Sequence, residues 1–332
     1  MMSDTPSPEE LERVLDDRAA IEVGDVDRSV RVDHVRAENV VAAKYWGGFQ
    51  PRIIATFLLF SVCWGGVLYL GATGRISLWL GLLLNSVFAS TFYMPLHEAA
   101  HRNIWGRSVR GRRMEDVVGA LCSIPTGIEF SSHRAGHMRH HAHTNDPARD
   151  PDHFTEGPLR DLPKKFYGMT LLYAFLPFFA LIRPLRVLLP KALRAKLSER
   201  DGSKAEGKAQ LRYWLLSTIV LVVCFVTGHG LAALALWWLP ARIQLCWLMF
   251  IFAWYPHHPA NETSRYRHTR VAVFRGSGLL IRGHDHHALH HLYPRVPHYR
   301  LKALWSEMAH DLVAKGVRAE GRAVAATRPV VW

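Results

Sequence analysis

Cysteine is scarce in this chain. The four that occur, Cys63, Cys122, Cys224 and Cys246, have no short-range pairing. That argues against a zinc–thiolate site and reads as buried free thiols. Acids are outnumbered as well, 28 aspartates and glutamates against 41 lysines and arginines, for a net charge of +13. The imbalance is uneven, because residues 1–45 are acidic and everything after them is strongly basic. Basic excess suits nucleic acid, anionic lipid or an acidic partner protein. Long apolar runs favour the last two. Carboxylates are missing from all of those runs. A carboxylate-bridged two-metal bundle needs glutamates projecting inward from several helices, so the pairs Glu98-x-x-His101 and Glu307-x-x-His310 do not suffice for one. No internal repeat is visible. The first fifty residues are polar, so the first membrane helix is expected to act as its own insertion signal, with no cleavable leader before it.

What the chain does have is uncharged length. Ile53–Gly71 and Ile76–Leu96 carry no charge at all, and the tight turn Ala72-Thr73-Gly74-Arg75 joins them. About 20 apolar residues cross the hydrocarbon core of a bilayer. Residues 211–227 and 231–256 are the third and fourth candidates, joined by Gly228-His229-Gly230; the fourth contains Pro240 and Arg242. Residues 166–182 are apolar too, but Pro177 interrupts them and Arg183, Arg186 and Lys191 follow, so this segment reads as interfacial. With four spans, all lysines and arginines except Arg75 and Arg242 fall on one face. The positive-inside rule makes that face cytoplasmic and places both termini there. The sequence therefore predicts an all-α membrane protein of four transmembrane helices in two hairpins with a cytoplasmic helical cap. Residues 1–50 read as a polar lead-in with a short helix, 51–305 as the membrane domain and 306–332 as a tail.

The histidines are crowded. Of 20 in the chain, most fall in the windows 97–101, 133–143, 257–258 and 284–298. Three boxes stand out: His97-Glu-Ala-Ala-His101, His137-Met-Arg-His140-His141 and His287-Ala-Leu-His290-His291. On a helix, residues three and four apart share one face, about 5–6 Å from each other. Packing does not explain such clusters, because imidazoles repel when protonated and need partners when buried. Taken alone, His97-Glu98-x-x-His101 matches a zinc peptidase motif, with Glu98 as general base. That reading leaves both H-x-x-H-H boxes unexplained. Eight box histidines exceed the capacity of one metal, and two metals with about four nitrogens each fit the count. Imidazole-rich sites suit iron, copper or zinc.

Boxes in the order H-x-x-x-H, H-x-x-H-H, H-x-x-H-H beside two membrane hairpins resemble the membrane fatty acid desaturase and carotene hydroxylase-like superfamily. So do His290-His291-Leu-Tyr-Pro-Arg-Val-Pro297, and His140-His141-Ala-His-Thr-Asn145 with Asp150-Pro-Asp152 after it. The resemblance covers roughly residues 50–305. It implies a di-iron site under the cap, O2 as oxidant, and electrons from a separate ferredoxin-, rubredoxin- or cytochrome-type donor. The implied reaction removes hydrogen from an unactivated C–H bond of a lipid chain. Fatty acyl desaturation is the first choice. Hydroxylation of a carotenoid or alkane, and oxidative decarboxylation of a fatty acid to an alkene, are the alternatives. The implied ligands are His97, His101, His137, His140, His141, His287, His290 and His291. A further one comes from the end of the fourth helix, where His257 is the choice and His258 the alternative. His133 continues the face of His137 and is a ligand or a neighbour of one. Asp152 and Asp285, with Asp146 and Asp150, are candidates to orient the imidazoles, since a ligating histidine usually donates its second N–H to a carboxylate or carbonyl. His34, His229, His268 and His310 receive no role. Arg242 is expected to pair or snorkel. The basic stretch 102–113 reads as lipid contact, or as a dock for an acidic electron carrier.

Overall fold

Pro51 stands at the first turn of the first long helix, where its missing N–H costs nothing. The computed structural model describes residues 28–106, 108–168, 187 and 204–327. Its helices are α1 (Arg28–Ala43), α2 (Pro51–Ala72), α3 (Leu78–Thr91), α4 (Tyr93–Ala100), α5 (Val109–Thr126), α6 (Phe130–Ala142), α7 (Lys204–Val226), α8 (Gly230–Ala233) and α9 (Leu239–Leu248). After these come β1 (Arg270–Val273), the short α10 (Ser277–Leu280), α11 (His287–Leu292), α12 (Leu301–Ala314) and β2 (Arg318–Gly321). Four helical stretches are long and apolar enough to cross a membrane: Pro51–Ala72, Leu78–Ala100, Glu206–Val226 and Gly230–Trp254. Each expected span overlaps one of these. The expected interfacial segment 166–182 falls almost wholly outside the described residues.

Prolines set the irregularities. Pro95 has no N–H to give the carbonyl of Thr91, and α3 stops at Thr91, with α4 restarting at Tyr93. The second span thus continues to Ala100 and carries His97 within it, instead of ending at Leu96. Pro240 likewise leaves the carbonyl of Leu236 without its helical partner. A π-helical turn, Leu234–Trp238, precedes it, and Asn85 Nδ2 from α3 donates to that carbonyl at 2.7 Å. A proline inside a membrane helix is tolerated when a neighbour satisfies the freed group in this way. Contact there is close: a Cβ on Gly81 would lie 2.2 Å from Leu236 Cδ2.

The chain divides into two compact units. One comprises Met1–Gly47, Met138–Glu156 and Tyr255–Trp332; the other comprises Gly48–His137 and Gly157–Trp254. All four membrane-length helices belong to the second. The first is built on α12, which buries Leu301, Leu304, Trp305, Met308 and Leu312 along one stripe against Leu289, Leu292, Tyr293 and Val271. The tail boundary placed after residue 305 therefore cuts through a helix. All-α also needs correction. β1 and β2 form a two-stranded parallel sheet, with Arg270 opposite Arg318 and Val273 opposite Gly321. Four-residue strands this far apart in sequence leave too short an alternation to read.

The polar lead-in needs the same correction. Helix α1 buries Val35, Glu38 and Ala42, and Glu38 is the centre of a polar knot. Its carboxylate accepts from Tyr266 Oη at 2.7 Å, Tyr293 Oη at 3.0 Å and Lys315 Nζ at 2.7 Å. Arg265 lies 3.6 Å away. Burial pushes this carboxyl up, but Lys315, Arg265 and Tyr266 outweigh it and hold the group below its ordinary value. A depressed folded pKa gives stability that is present above the unfolded value and lost as pH falls through the folded one. Glu38→Gln should therefore cost about 2 kcal/mol at pH 7, by removing the buried carboxylate that Lys315, Arg265 and two tyrosine hydroxyls share. The gap to wild type in thermal unfolding should narrow as pH drops below about 4.

Candidate metal centre

Helix α6 carries His137, His140 and His141 at helical spacing, and α11 does the same for His287, His290 and His291. In the first unit, His140, His257, His287 and His291 converge, all buried, with one ring nitrogen from each within 4.8 Å of the others. His257 Nε2 lies 3.0 Å from His287 Nε2, and His291 Nε2 lies 3.0 Å from the same atom.

The outward nitrogens explain which way the rings face. His140 Nδ1 meets Asp150 Oδ1 at 2.8 Å, and His257 Nδ1 meets the side-chain carbonyl of Asn145 at 3.2 Å. Both oxygens only accept, so both Nδ1 atoms carry the proton. His291 Nδ1 lies 3.1 Å from Thr144 Oγ1, whose own hydrogen goes to the His140 carbonyl at 2.8 Å. That makes His291 a donor at Nδ1 as well. His287 Nδ1 faces His284 Nδ1 at 3.0 Å. Three rings thus turn an unprotonated Nε2 inward, where lone pairs would repel without a cation between them. Two nitrogens bound at right angles to one metal, each at about 2.1 Å, sit about 3 Å apart. The observed spacings match, so the donor set fits a metal, with the outer hydrogen bonds fixing tautomer and orientation.

The other box histidines pair within their own units. His141 Nε2 and His290 Nε2 lie 2.9 Å apart in the first. In the second, His101 Nε2 and His137 Nε2 are 2.9 Å apart, and the His97 ring stands 4.7 Å from His101 and 4.6 Å from His137.

The remaining candidates fall outside these groups. His133 stacks on His137 with ring centroids 5.4 Å apart and packs on Tyr93. Burial pushes its imidazole down to about 4, against the pull of Glu129. His258 contributes its backbone carbonyl, which accepts from Arg318 at 3.2 Å. Asp152 Oδ2 is 3.8 Å from His140 Nδ1, beyond hydrogen-bond reach. Asp285 accepts from His286 Nδ1 at 2.8 Å and from Ser277 Oγ at 2.7 Å. Of the four aspartates weighed, Asp150 is the one that holds a ring of the convergent group, while Asp285 holds His286, outside it. Sequence reasoning missed Thr144 and Asn145 as orienting groups. Asn145 is a hub. Its amide donates to the carbonyls of Glu262 at 2.8 Å and His268 at 2.7 Å while its oxygen holds His257. Its φ of 64° is the left-handed conformation that asparagine tolerates. The signal was the Thr144-Asn145 pair just beyond the second box, after Ala142 and His143.

Glu98 stands outside both imidazole sets, and its carboxylate accepts from Asn103 Nδ2 at 2.8 Å. Arg242 faces the end of α5. There Tyr213, Trp237 and Gln244 donate to the last carbonyls of the helix, and the guanidinium lies 4.7 Å over the Trp238 ring. A cation at a helix C-terminus is favoured by the helix dipole, which accounts for its place in an apolar span.

The fatty acid desaturase family model matches residues 73–320. The chain belongs to that family. It is 27% identical over 254 residues to a chloroplastic omega-3 fatty acid desaturase of Brassica napus, covering 67% of this chain and 59% of that protein. It is 24% identical over 253 residues to an sn-2 acyl-lipid omega-3 desaturase (ferredoxin) of Arabidopsis thaliana, covering 67% and 54%. The match to a beta-carotene ketolase of a Paracoccus strain is 26% over 216 residues, covering 63% and 71%. The chain thus spans less than two thirds of the length of these plant relatives.

Proposed function

We propose that this protein is a membrane oxidoreductase that uses O2 and two irons to oxidise an unactivated C–H bond in a lipid chain, with fatty acyl desaturation as the reaction. The observation that carries the reading is the inward convergence of Nε2 atoms from His140, His257, His287 and His291, each ring held from behind at Nδ1. These four are proposed as ligands of one iron. His141 and His290 in the same unit, and His97, His101 and His137 in the other, remain proposed metal ligands, as the three histidine boxes imply. Bound iron would supply the activation of O2. The chain's own residues orient the imidazoles, with Asp150, Asn145 and Thr144 holding His140, His257 and His291 at Nδ1, and the apolar helices admit the acyl substrate. The overall change removes two hydrogens from adjacent carbons. With two electrons and two protons from outside, O2 leaves as two waters. A ferredoxin-type donor is proposed, since that word stands in the names of three relatives.

Hydroxylation or ketone formation on a carotenoid is the second reading, favoured by the match to the beta-carotene ketolase. Mass spectrometry of lipid extracts separates the two. Cells expressing the wild-type chain should hold acyl chains about two mass units lighter than cells expressing His290→Ala. Carotenoids about sixteen units heavier for a hydroxyl, or about fourteen for a ketone, with acyl chains unchanged, would replace the first reading by the second. The histidine boxes and termini are placed in the cytoplasm on the strength of the basic residues, which spare only Arg75 and Arg242. A reporter fused after Arg75 should behave as external, and one after Lys165 as internal. Both reporters on one side would overturn the four-span topology.

A further inference from the structure

Two carbonyls near His257, one before it in sequence and one after, are held by guanidinium groups. Arg270 donates to the Tyr255 carbonyl, and Arg318 Nη2 donates to the His258 carbonyl at 3.2 Å. Arg270 and Arg318 are partners across the parallel sheet, so one element grips both sides of a proposed ligand. Behind Arg318 the surface opens into a recess of about 480 Å³, lined by Pro259, Glu262, Arg267, Lys315, Gly316 and Arg318. Three cations line it against one carboxylate. Lys315 is committed to Glu38 and Arg318 to His258. Arg267 reaches furthest into solvent, with its side chain 60% exposed and only a loose pairing to Glu262 at 3.8 Å.

From these observations we infer that the recess around Arg267, Lys315 and Arg318 is the docking surface for an acidic one-electron carrier. The inference rests on the oxidative reading above, which needs two electrons for each O2. Each carrier molecule would be oxidised by one electron, and two deliveries would complete the turnover with two protons from water. Charge complementarity selects the partner, and rim charges act mainly on association rate and salt dependence. The connection to His257 selects the place. From Arg318 the path is one hydrogen bond to the His258 carbonyl and then the peptide chain to the neighbouring ligand. An anionic lipid headgroup needs no such connection. The basic stretch 102–113 is the poorer dock. Arg102 is consumed by Asp116 at 2.7 Å and by the Arg112 carbonyl at 2.7 Å. Helix α5, which begins within that stretch, exposes Met114, Val117 and Leu121, a surface suited to lipid.

The test is binding of a plant-type [2Fe–2S] ferredoxin of net negative charge to the full chain in nanodiscs, with metal content measured on the same preparation. Arg267→Glu should weaken binding at least tenfold, mostly through a slower on-rate, and flatten its salt dependence. The paired change Arg110→Glu with Arg113→Glu should leave binding within twofold. Arg267 is preferred to Lys315 because its removal leaves no buried charge behind. Unchanged ferredoxin binding in Arg267→Glu would overturn the assignment. So would a loss of affinity for phosphatidylserine vesicles in that variant with ferredoxin binding intact, or a loss of ferredoxin binding confined to the Arg110 and Arg113 pair. A wild-type chain that holds iron yet binds neither this ferredoxin nor an acidic rubredoxin or cytochrome b5 would also overturn it, while leaving the oxidative reading standing.

Discussion

His257→Ala should abolish turnover and drop the iron content from about two per chain to about one. His257 supplies an inward Nε2 at 3.0 Å from that of His287, and Asn145 holds its ring from the other side. Alanine leaves a coordination position open and removes one of four convergent nitrogens. His140→Ala, His287→Ala and His291→Ala should do the same. His141→Ala and His290→Ala should lose the other iron. His34→Ala and His310→Ala should retain both, since neither belongs to an imidazole group. Normal activity in any two of the ligand variants would mean that the boxes are misassigned. Two irons retained in His257→Ala would remove that residue from the set.

Asn145→Gly should be nearly as severe, although Asn145 touches no metal. Glycine keeps the left-handed backbone, so only the side chain is lost. Its loss frees His257 Nδ1 and leaves the carbonyls of Glu262 and His268 without their donor. Each buried group left unsatisfied costs about 1–3 kcal/mol. Loss of a group that orients a metal ligand typically costs about 10–100-fold in metal affinity or activity. Iron titration of the metal-free protein measures this directly. An affinity within twofold of wild type would mean that His257 is held by packing alone. Asn145→Asp keeps an acceptor for His257 but loses both donors, and should fall between the two.

Much of this was legible before any coordinates, because the informative pattern is local. Runs of apolar residues announce membrane-length helices, and H-x-x-H-H puts imidazoles on one helical face whatever surrounds them. His257 was singled out because the family resemblance implies a further ligand at the end of the fourth helix. Groups joined over long sequence separations were not legible. Thr144 reaches His291, and Asn145 reaches residues 257, 262 and 268, with nothing in the sequence to mark the pairing. Asp150 was one of four aspartates with equal claims until its 2.8 Å contact to His140 separated it. The terminal segments were misjudged for another reason. Glu38 looks like a solvated charge on a polar helix, yet it is buried under two tyrosines and a lysine from 266, 293 and 315. The β1–β2 pair joins segments nearly fifty residues apart, and four residues carry no readable alternation.

Metal analysis of the full chain, purified after expression with iron and zinc both supplied, tests the central claim most directly. The account predicts about two irons per chain, negligible zinc, and loss of iron in the His257→Ala and His290→Ala variants. About one zinc per chain with no iron, retained in both variants and tied to a peptidase activity that Glu98→Gln abolishes, would contradict it.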